Sequence, residues 1–355
     1  MAEAGDIVAV SVPFVAGVAF VTFVPMGGAE YALAGCAFAA ASFLLLCCLA
    51  KGACLPLLLG VYFFLGILCG CSGLILHPVR QAAPRLAVRS MDFLVDLIGR
   101  SGLEGRTSSL VEALLTGRRS RLDPSLVRSF RLSGASHILA LSGLHLGIIY
   151  GIVLRFLSVL GNGRPGSVLR SVAVTAACGF YCMMTGSSPS TVRAFLFISI
   201  NEISRHNSGR RRRPLAVLCA ALMVQLSFNP SAMDSAGFQL SYLAMLGIFT
   251  VYPVLESWYP KGPRIDPVRR VWLSLAMSVS CQLFTFPVAY FRFGTFPRFF
   301  LLTNLVALPM TEALMVSAVL CLVLTEAGLP CAYVQAAVDK LASMLVFCLE
   351  TISNL

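Results

Sequence analysis

The chain has four histidines, and two of them, His137 and His145, share one apolar stretch with Ser142 between them. A serine near histidines raises hydrolysis, and a histidine pair raises a metal site. The spacing supports neither. Eight residues is about 80° of rotation on a helix rather than one face, and the four-residue histidine spacing of helical metal sites is absent. No aspartate follows closely to orient a histidine, and Ser142-Gly143 lacks the G-x-S-x-G elbow. No residue is therefore assigned a catalytic or metal-binding role, no cofactor is expected, and the chain is not read as an enzyme. A polar group surrounded by lipid has no water to bond, so His137, Ser142 and His145 are expected to face protein or a wet cavity.

Other polar groups interrupt apolar runs in the same way: Arg193, Gln225, Gln239, Ser241, Gln282, Asn304 and Glu312. Arg193 follows Ser190 by three residues, near the end of its run. A charge there costs about 3 kcal/mol on insertion scales unless it snorkels or pairs, which makes it a candidate cation at a pore mouth. Gln239 and Ser241 are flanked by Phe238 and Tyr242. Neutral hydrogen-bonding groups beside rings, with cations to track phosphates, are what non-specific binding of single-stranded nucleic acid uses. Glu312 and Asp234 offer only a sparse carboxylate pair for a proton relay.

The elements that must position these groups follow from composition. Hydrophobic residues make up 57% and charged residues 12%, with a mean hydropathy of +0.84. A soluble domain is nearer half apolar and a quarter charged. The apolar runs are long enough to cross a bilayer core of about 30 Å. An all-α, polytopic helical membrane protein follows, with about eleven transmembrane or re-entrant spans: 7–24, 29–50, 55–76, 132–158, 168–185, 190–204, 214–228, 235–255, 271–290, 299–324 and 330–353. Met1 to Asp6 is acidic and no small-residue cleavage site follows, so the first run reads as a span rather than a cleavable signal. Glycine and proline mark the turns at 25–28 and 51–52. In the central run, Gly143, Gly147 and Gly151 fall four apart, which predicts a helix face open to close packing. Glycines at 134 and 143 bracket its first half and predict a broken or re-entrant segment, tolerated only where it is buried in protein or lines water. The thirteen cysteines lie almost wholly in apolar runs and form no paired CxxC blocks, so they read as small hydrophobes.

Residues 77–131 differ, with ten arginines against Asp92, Asp96, Glu104, Glu112 and Asp123. Leu86, Phe93, Leu94, Leu97 and Ile98 recur at helical spacing and predict an amphipathic helix at the membrane surface. Ser109-x-x-Glu112 predicts a capping box for a second helix ending at Gly117, and Asp123-Pro124 a cap and first position for a third. The arginine-rich run 205–213 is the strongest cytoplasmic marker. Counting spans from it puts 163–170, 261–270 and Lys51 on the same side, the N-terminus inside and 77–131 outside. The formal charge is +11. Ten arginines on the outer side favour gathering of an anion. The chain divides into N-terminal transmembrane helices (1–76), an extracytoplasmic basic amphipathic helical segment (77–131) and a transmembrane domain (132–355).

The run His137-Ile-Leu-Ala-Leu-Ser-Gly-Leu-His145 resembles the signature of the ComEC family, the membrane channel that carries transforming DNA inward in naturally competent bacteria. Three further blocks resemble that family in the same order. They are Gly186 to Ala194; Asn229-Pro230 followed by Gly237 to Tyr242; and Gln282 to Pro287 with Asn304 and Pro309 beyond. The resemblance covers roughly 120–320. It implies passage of single-stranded DNA through the bacterial inner (cytoplasmic) membrane. His137, Ser142, His145, Arg193, Gln239, Ser241, Gln282 and Asn304 would line or brace the path. Its implied partners are DNA, the lipid bilayer and other competence proteins: a DNA receptor, a cytoplasmic ATPase or helicase, and a separate nuclease. An oligomer is compatible with it. Full-length members carry an external OB-like domain and often a metallo-β-lactamase-like one. Here 77–131 has no alternating β-branched strands and no HxHxDH motif occurs, so strand degradation is expected from another polypeptide. The alternative reading is a secondary transporter of a small solute or an anionic lipid precursor, which uses broken helices and midplane polar groups equally well.

Overall fold

The computed structural model describes residues 4–23, 55–75, 84–139, 143–160, 164–208, 213–260, 266–294 and 298–354. The expected span 29–50, the turns at 25–28 and 51–52, Ser142, Arg210 to Arg212 and Lys261 lie outside the described residues. The described residues form helices and no strands. In chain order the α-helices are α1 (Ala4–Phe23), α2 (Leu55–Ile75), α3 (Arg85–Arg100), α4 (Gly105–Thr116), α5 (Pro124–Leu132), α6 (Ser136–Leu139), α7 (Gly143–Phe156) and α8 (Arg164–Met184). They continue with α9 (Pro189–Ser208), α10 (Pro214–Phe228), α11 (Ala236–Thr250), α12 (Tyr252–Ser257), α13 (Pro267–Phe293), α14 (Phe300–Glu326) and α15 (Ala332–Ser353). Among the described residues, five stretches are long and apolar enough to cross a membrane: Gly166–Met184, Ala236–Ser257, Pro267–Phe293, Phe300–Glu326 and Ala332–Ser353. Shorter apolar helices are Ile7–Phe23, Leu59–Cys71, Gly143–Phe156 and Pro214–Phe228.

The chain divides into two compact units, residues 1–82 with 196–246 and residues 83–195 with 247–355. In the first, α1 and α2 cross with their backbones in contact. A β-carbon at Gly17 would collide with the Phe63 carbonyl oxygen, and one at Gly66 with the Phe14 carbonyl oxygen. Such small-residue crossings let dispersion act over the whole contact where no hydrophobic drive separates helix from lipid. The expected packing glycines behave differently. Gly143 meets a neighbour, while the space beside Gly147 and Gly151 is open among the described residues.

The second unit has a continuous core built from α3, α4, α5 and α6 against α14 and α15, with Leu110, Leu114, Leu126, Phe130, Ile138, Leu314, Leu345 and Leu349 fully buried or nearly so. The basic segment is therefore more than a surface layer. Every residue of α4 from Thr107 to Thr116 is buried. Contacts from 101–106 are strung along α15: Gln335 Nε2 donates to Ser101 O at 2.7 Å, Glu104 N to Asp339 Oδ1 at 3.2 Å, and Arg106 Nη2 to Glu350 Oε1 at 2.6 Å. From Gln335 to Glu350 is about 22 Å of helix.

So polar a helix can be buried because its hydroxyls are satisfied locally. Ser109 Oγ donates to Arg106 O at 2.9 Å and Thr116 Oγ1 to Glu112 O at 2.6 Å. The predicted capping box is not formed. The helix starts at Gly105, Ser109 bonds its own helix, and Glu112 Oε2 takes Arg121 Nη1 at 3.0 Å. The other two signals stand: Gly117 closes α4 at φ +77°, and Asp123 caps α5 by accepting Ser125 N with Pro124 at the first position. On α3 the apolar side is split. Leu97 and Ile98 are buried with Ala87 and Met91, whereas Leu86 and Phe93 are exposed.

The C-terminal ends of α8 and α14 face one cavity. Met184 and Glu326 line one cavity with Leu94 and Leu97 of α3. Strict alternation over the five apolar runs between them would put these ends on opposite membrane faces; the packing puts them together.

Candidate functional site

The groups that converge do so around Arg193, and local chain chemistry sets its position. Helix α8 ends in a left-handed turn, with Gly186 at φ +81° and Ser187 at φ +50°. Ser187 N closes it by donating to Cys182 O at 2.9 Å, the long-range bond of a glycine C-cap. Ser188 then caps α9. Its hydroxyl accepts Thr191 N at 3.3 Å and meets the hydroxyls of Ser190 and Thr191 at 3.1 and 3.0 Å. Pro189 occupies the first helical position, where a missing N–H costs nothing. The block Gly186 to Ala194 is thus one stop-and-start device, and it delivers Arg193 to the second turn of α9. Arg193 is 7% exposed and so buried rather than snorkelling.

Two other helices reach it. A β-carbon at Gly143 would stand 3.5 Å from Arg193 Nη2 and 3.5 Å from Ala194 Cβ, so the start of α7 packs on the guanidinium. On α13, the Cys281 thiol lies within electrostatic reach of Arg193. Cys281 belongs to a polar stripe, since Ser278, Cys281, Gln282 and Thr285 recur at three- and four-residue spacing and share one side of α13. Asn304 of α14 joins the stripe, its Nδ2 donating to Ser278 Oγ at 3.3 Å. Asn304 Oδ1 is buried and accepts no hydrogen bond among the described residues. Thr303 Oγ1 donates to Ser133 O at 2.7 Å, with both residues fully buried, and ties the end of α5 to α14.

The seam of Gly143, Arg193, Ser278, Cys281, Gln282 and Asn304 is one fixed cation beside neutral hydrogen-bonding groups. Such a set can hold or guide an anionic or polar chain. Among the described residues no three of His, Cys, Asp or Glu gather as a metal requires.

The remaining candidates sit elsewhere or serve the fold. His145 is buried, 1% exposed, about 200° round α7 from Gly143. His137 is exposed with Nδ1 3.2 Å from Gly134 O, where it closes the turn before α6. Gln239 and Ser241 belong to the other unit. There Gln239 Nε2 donates to Met233 O at 2.9 Å and holds the turn before α11. Phe238 and Tyr242 are buried and tilted against each other at 4.7 Å, and Tyr242 Oη donates to Gln225 Oε1 at 2.9 Å. Ser278, Cys281 and Thr303 were not singled out from sequence. The repeat Ser278-x-x-Cys281-Gln282-x-x-Thr285 was the available signal for the first two, and Thr303 had none.

The basic segment spends much of its charge on itself. Arg100, Arg106, Arg118 and Arg121 form ion pairs with Asp96, Glu350, Asp92 and Glu112, and Arg119 donates to Leu139 O. Arg85 and Arg89 on α3 and Arg128 and Arg131 on α5 are exposed and form no ion pair among the described residues.

A family profile described as Competence protein matches residues 114–355. The chain belongs to the competence protein family. It is 26% identical over 203 residues to ComE operon protein 3 of Bacillus subtilis (strain 168), covering 57% of this chain and 24% of that protein. It is 26% identical over 206 residues to Competence protein ComA of Neisseria gonorrhoeae, covering 56% of this chain and 28% of that one. An uncharacterized protein of Aquifex aeolicus (strain VF5) is 30% identical over 167 residues, covering 47% of this chain and 38% of the other. The chain thus spans between a quarter and two fifths of the length of these relatives. No solved structure matches. The match includes all of the Arg193 seam, and it begins at the last turn of α4, so the seam lies in the family region while most of the buried helix precedes it.

Proposed function

We propose that this chain is the membrane-embedded channel part of a competence system, passing single-stranded DNA across the bacterial inner membrane into the cytoplasm. The observation that carries this reading is Arg193, a buried guanidinium held by a dedicated turn inside the family region, with the start of α7 and a stripe of neutral polar groups beside it. A fixed cation among neutral hydrogen-bonding groups suits a sugar-phosphate backbone that must be guided but not retained. His137, Ser142 and His145, and separately Gln239 and Ser241, are assigned to bracing or lining a DNA path. The protein acts as a conduit rather than an enzyme. A DNA receptor, a cytoplasmic motor and a separate nuclease complete the system, and the N-terminus is cytoplasmic.

About eleven helices cross or enter the bilayer. The shared cavity at the ends of α8 and α14 favours an even number of crossings between Met184 and Glu326, so one of the five intervening helices turns back. Helix α10, 15 residues and about 22 Å long, is the one best suited to that by length. The test is uptake of labelled DNA by the host. Arg193→Ala is expected to abolish internalisation while leaving surface binding intact, and Arg193→Lys to restore part of it. Normal uptake by Arg193→Ala rejects the reading, and ion-driven accumulation of a small solute in vesicles without DNA passage would favour a transporter.

A further inference from the structure

The cavity where α8 and α14 end has a volume of about 510 Å3. Its wall is apolar with one charged residue, and Leu97, Tyr181, Met184, Leu322, Val323 and Glu326 define its sides. The Tyr181 hydroxyl is already satisfied, donating to Leu115 O at 2.8 Å, so what the tyrosine offers a ligand is its ring. An apolar chamber with a carboxylate at its edge repels a polyanion and offers a polar solute almost no hydrogen bonds.

The bilayer itself supplies the matching ligand. Val316, Leu320 and Val323 follow one another at four and three residues on α14 and are 50%, 50% and 53% exposed. On a spanning helix this stripe faces lipid, and it runs into the cavity at Val323, so an acyl chain can enter without leaving an apolar surface. The cavity lies at a helix end, beneath the amphipathic α3, where a phospholipid's head and tail divide. Glu326, exposed and without an ion pair among the described residues, is placed to meet a positive head group.

We propose that this cavity seats one acyl chain of an amine-headed phospholipid, its ammonium beside Glu326 and its tail wedged between α3 and α14. The site is independent of the channel reading, since it shares no residue with the Arg193 seam. Its test uses the full chain in vesicles of mixed phosphatidylethanolamine and phosphatidylglycerol, with a trace of either lipid carrying a photoreactive acyl chain. Labelling is mapped by peptide and compared with the Met344 and Phe347 surface of α15, which is 50% and 70% exposed and serves as an ordinary lipid-facing reference.

The expected result is labelling of 181–184 and 319–327 severalfold above that reference. The amine lipid should lead phosphatidylglycerol by about two- to fivefold, the size of an exposed ion pair. Val323→Trp, which fills the mouth, should bring labelling down to the reference, and Glu326→Gln should erase the head-group preference while leaving tail labelling intact. Labelling no greater than at Met344 and Phe347 overturns the site. Equal labelling by the two lipids in the unsubstituted protein, or a preference that survives Glu326→Gln, overturns the head-group assignment.

Discussion

Replacing Arg121 with alanine strands the Glu112 carboxylate inside the protein. The Glu112 side chain is 3% exposed and that of Arg121 52%, with 3.0 Å between Nη1 and Oε2. Removing one partner of a fully buried pair costs about 3–5 kcal/mol, because the remaining charge loses water and counter-ion together. Here Arg121 is half solvated, so part of that interaction is already screened and water can follow into the space it leaves. The expected loss is about 2 kcal/mol, or roughly 4–8 °C in melting temperature for a unit of this size. Glu112→Gln keeps an acceptor and removes the charge, at about 1 kcal/mol. In the double variant the buried charge is gone, so its loss should fall below the sum of the two single losses by about 1 kcal/mol or more. Thermal unfolding in detergent, followed by burial-dependent labelling of Cys321 beneath α4, measures all three. An Arg121→Ala protein that melts with the unsubstituted one, or a double variant whose loss is the plain sum, refutes the reasoning.

Two further outcomes test the fold. Gly66→Val drives a side chain into the Phe14 carbonyl and should separate α1 from α2, seen as lost yield of folded protein. Gly147→Ala enters open space and should be neutral or stabilising by up to about 1 kcal/mol through helix propensity; equal damage from both would contradict the crossing. At the start of α5, the Ser125 N–H holds the Asp123 carboxyl below its usual range. Its folded-state value is thus depressed, so its support for α5 is present above the ordinary carboxylate range and is lost as pH falls through the lowered value. Amide exchange at Ser125, normalised for intrinsic rate, should rise on acidification in the unsubstituted protein and stay flat in Asp123→Asn, which caps without titrating.

The helical, membrane-embedded nature of the chain and most helix limits were legible from apolar run length and from end signals such as Gly117 and Asp123-Pro124. Those signals act between residues a few positions apart, and they keep their meaning whatever surrounds them. The Ser109 signal misled because the same Ser-x-x-Glu spacing also occurs inside a helix, where Ser109 returns to Arg106 and Glu112 finds Arg121, nine residues on. The glycine triplet from Gly143 marked a face able to pack, but whether a neighbour arrives is a property of other helices.

Within the candidate site, polarity at membrane depth was enough to select Arg193, Gln282 and Asn304, because an unsolvated polar side chain demands a partner wherever it lies. Which groups would answer each other was not written in the local pattern. Gly143 reaching Arg193, Asn304 reaching Ser278 and Thr303 reaching Ser133 join residues 26 to 170 positions apart. The sequence by itself determined that the chain must hide these groups from lipid, since transfer free energy depends on residue type. Only tertiary packing decided that Arg193 and the α13 stripe share one seam while Gln239 braces a turn in another unit, because helix contacts are chosen by shape and register over the whole molecule.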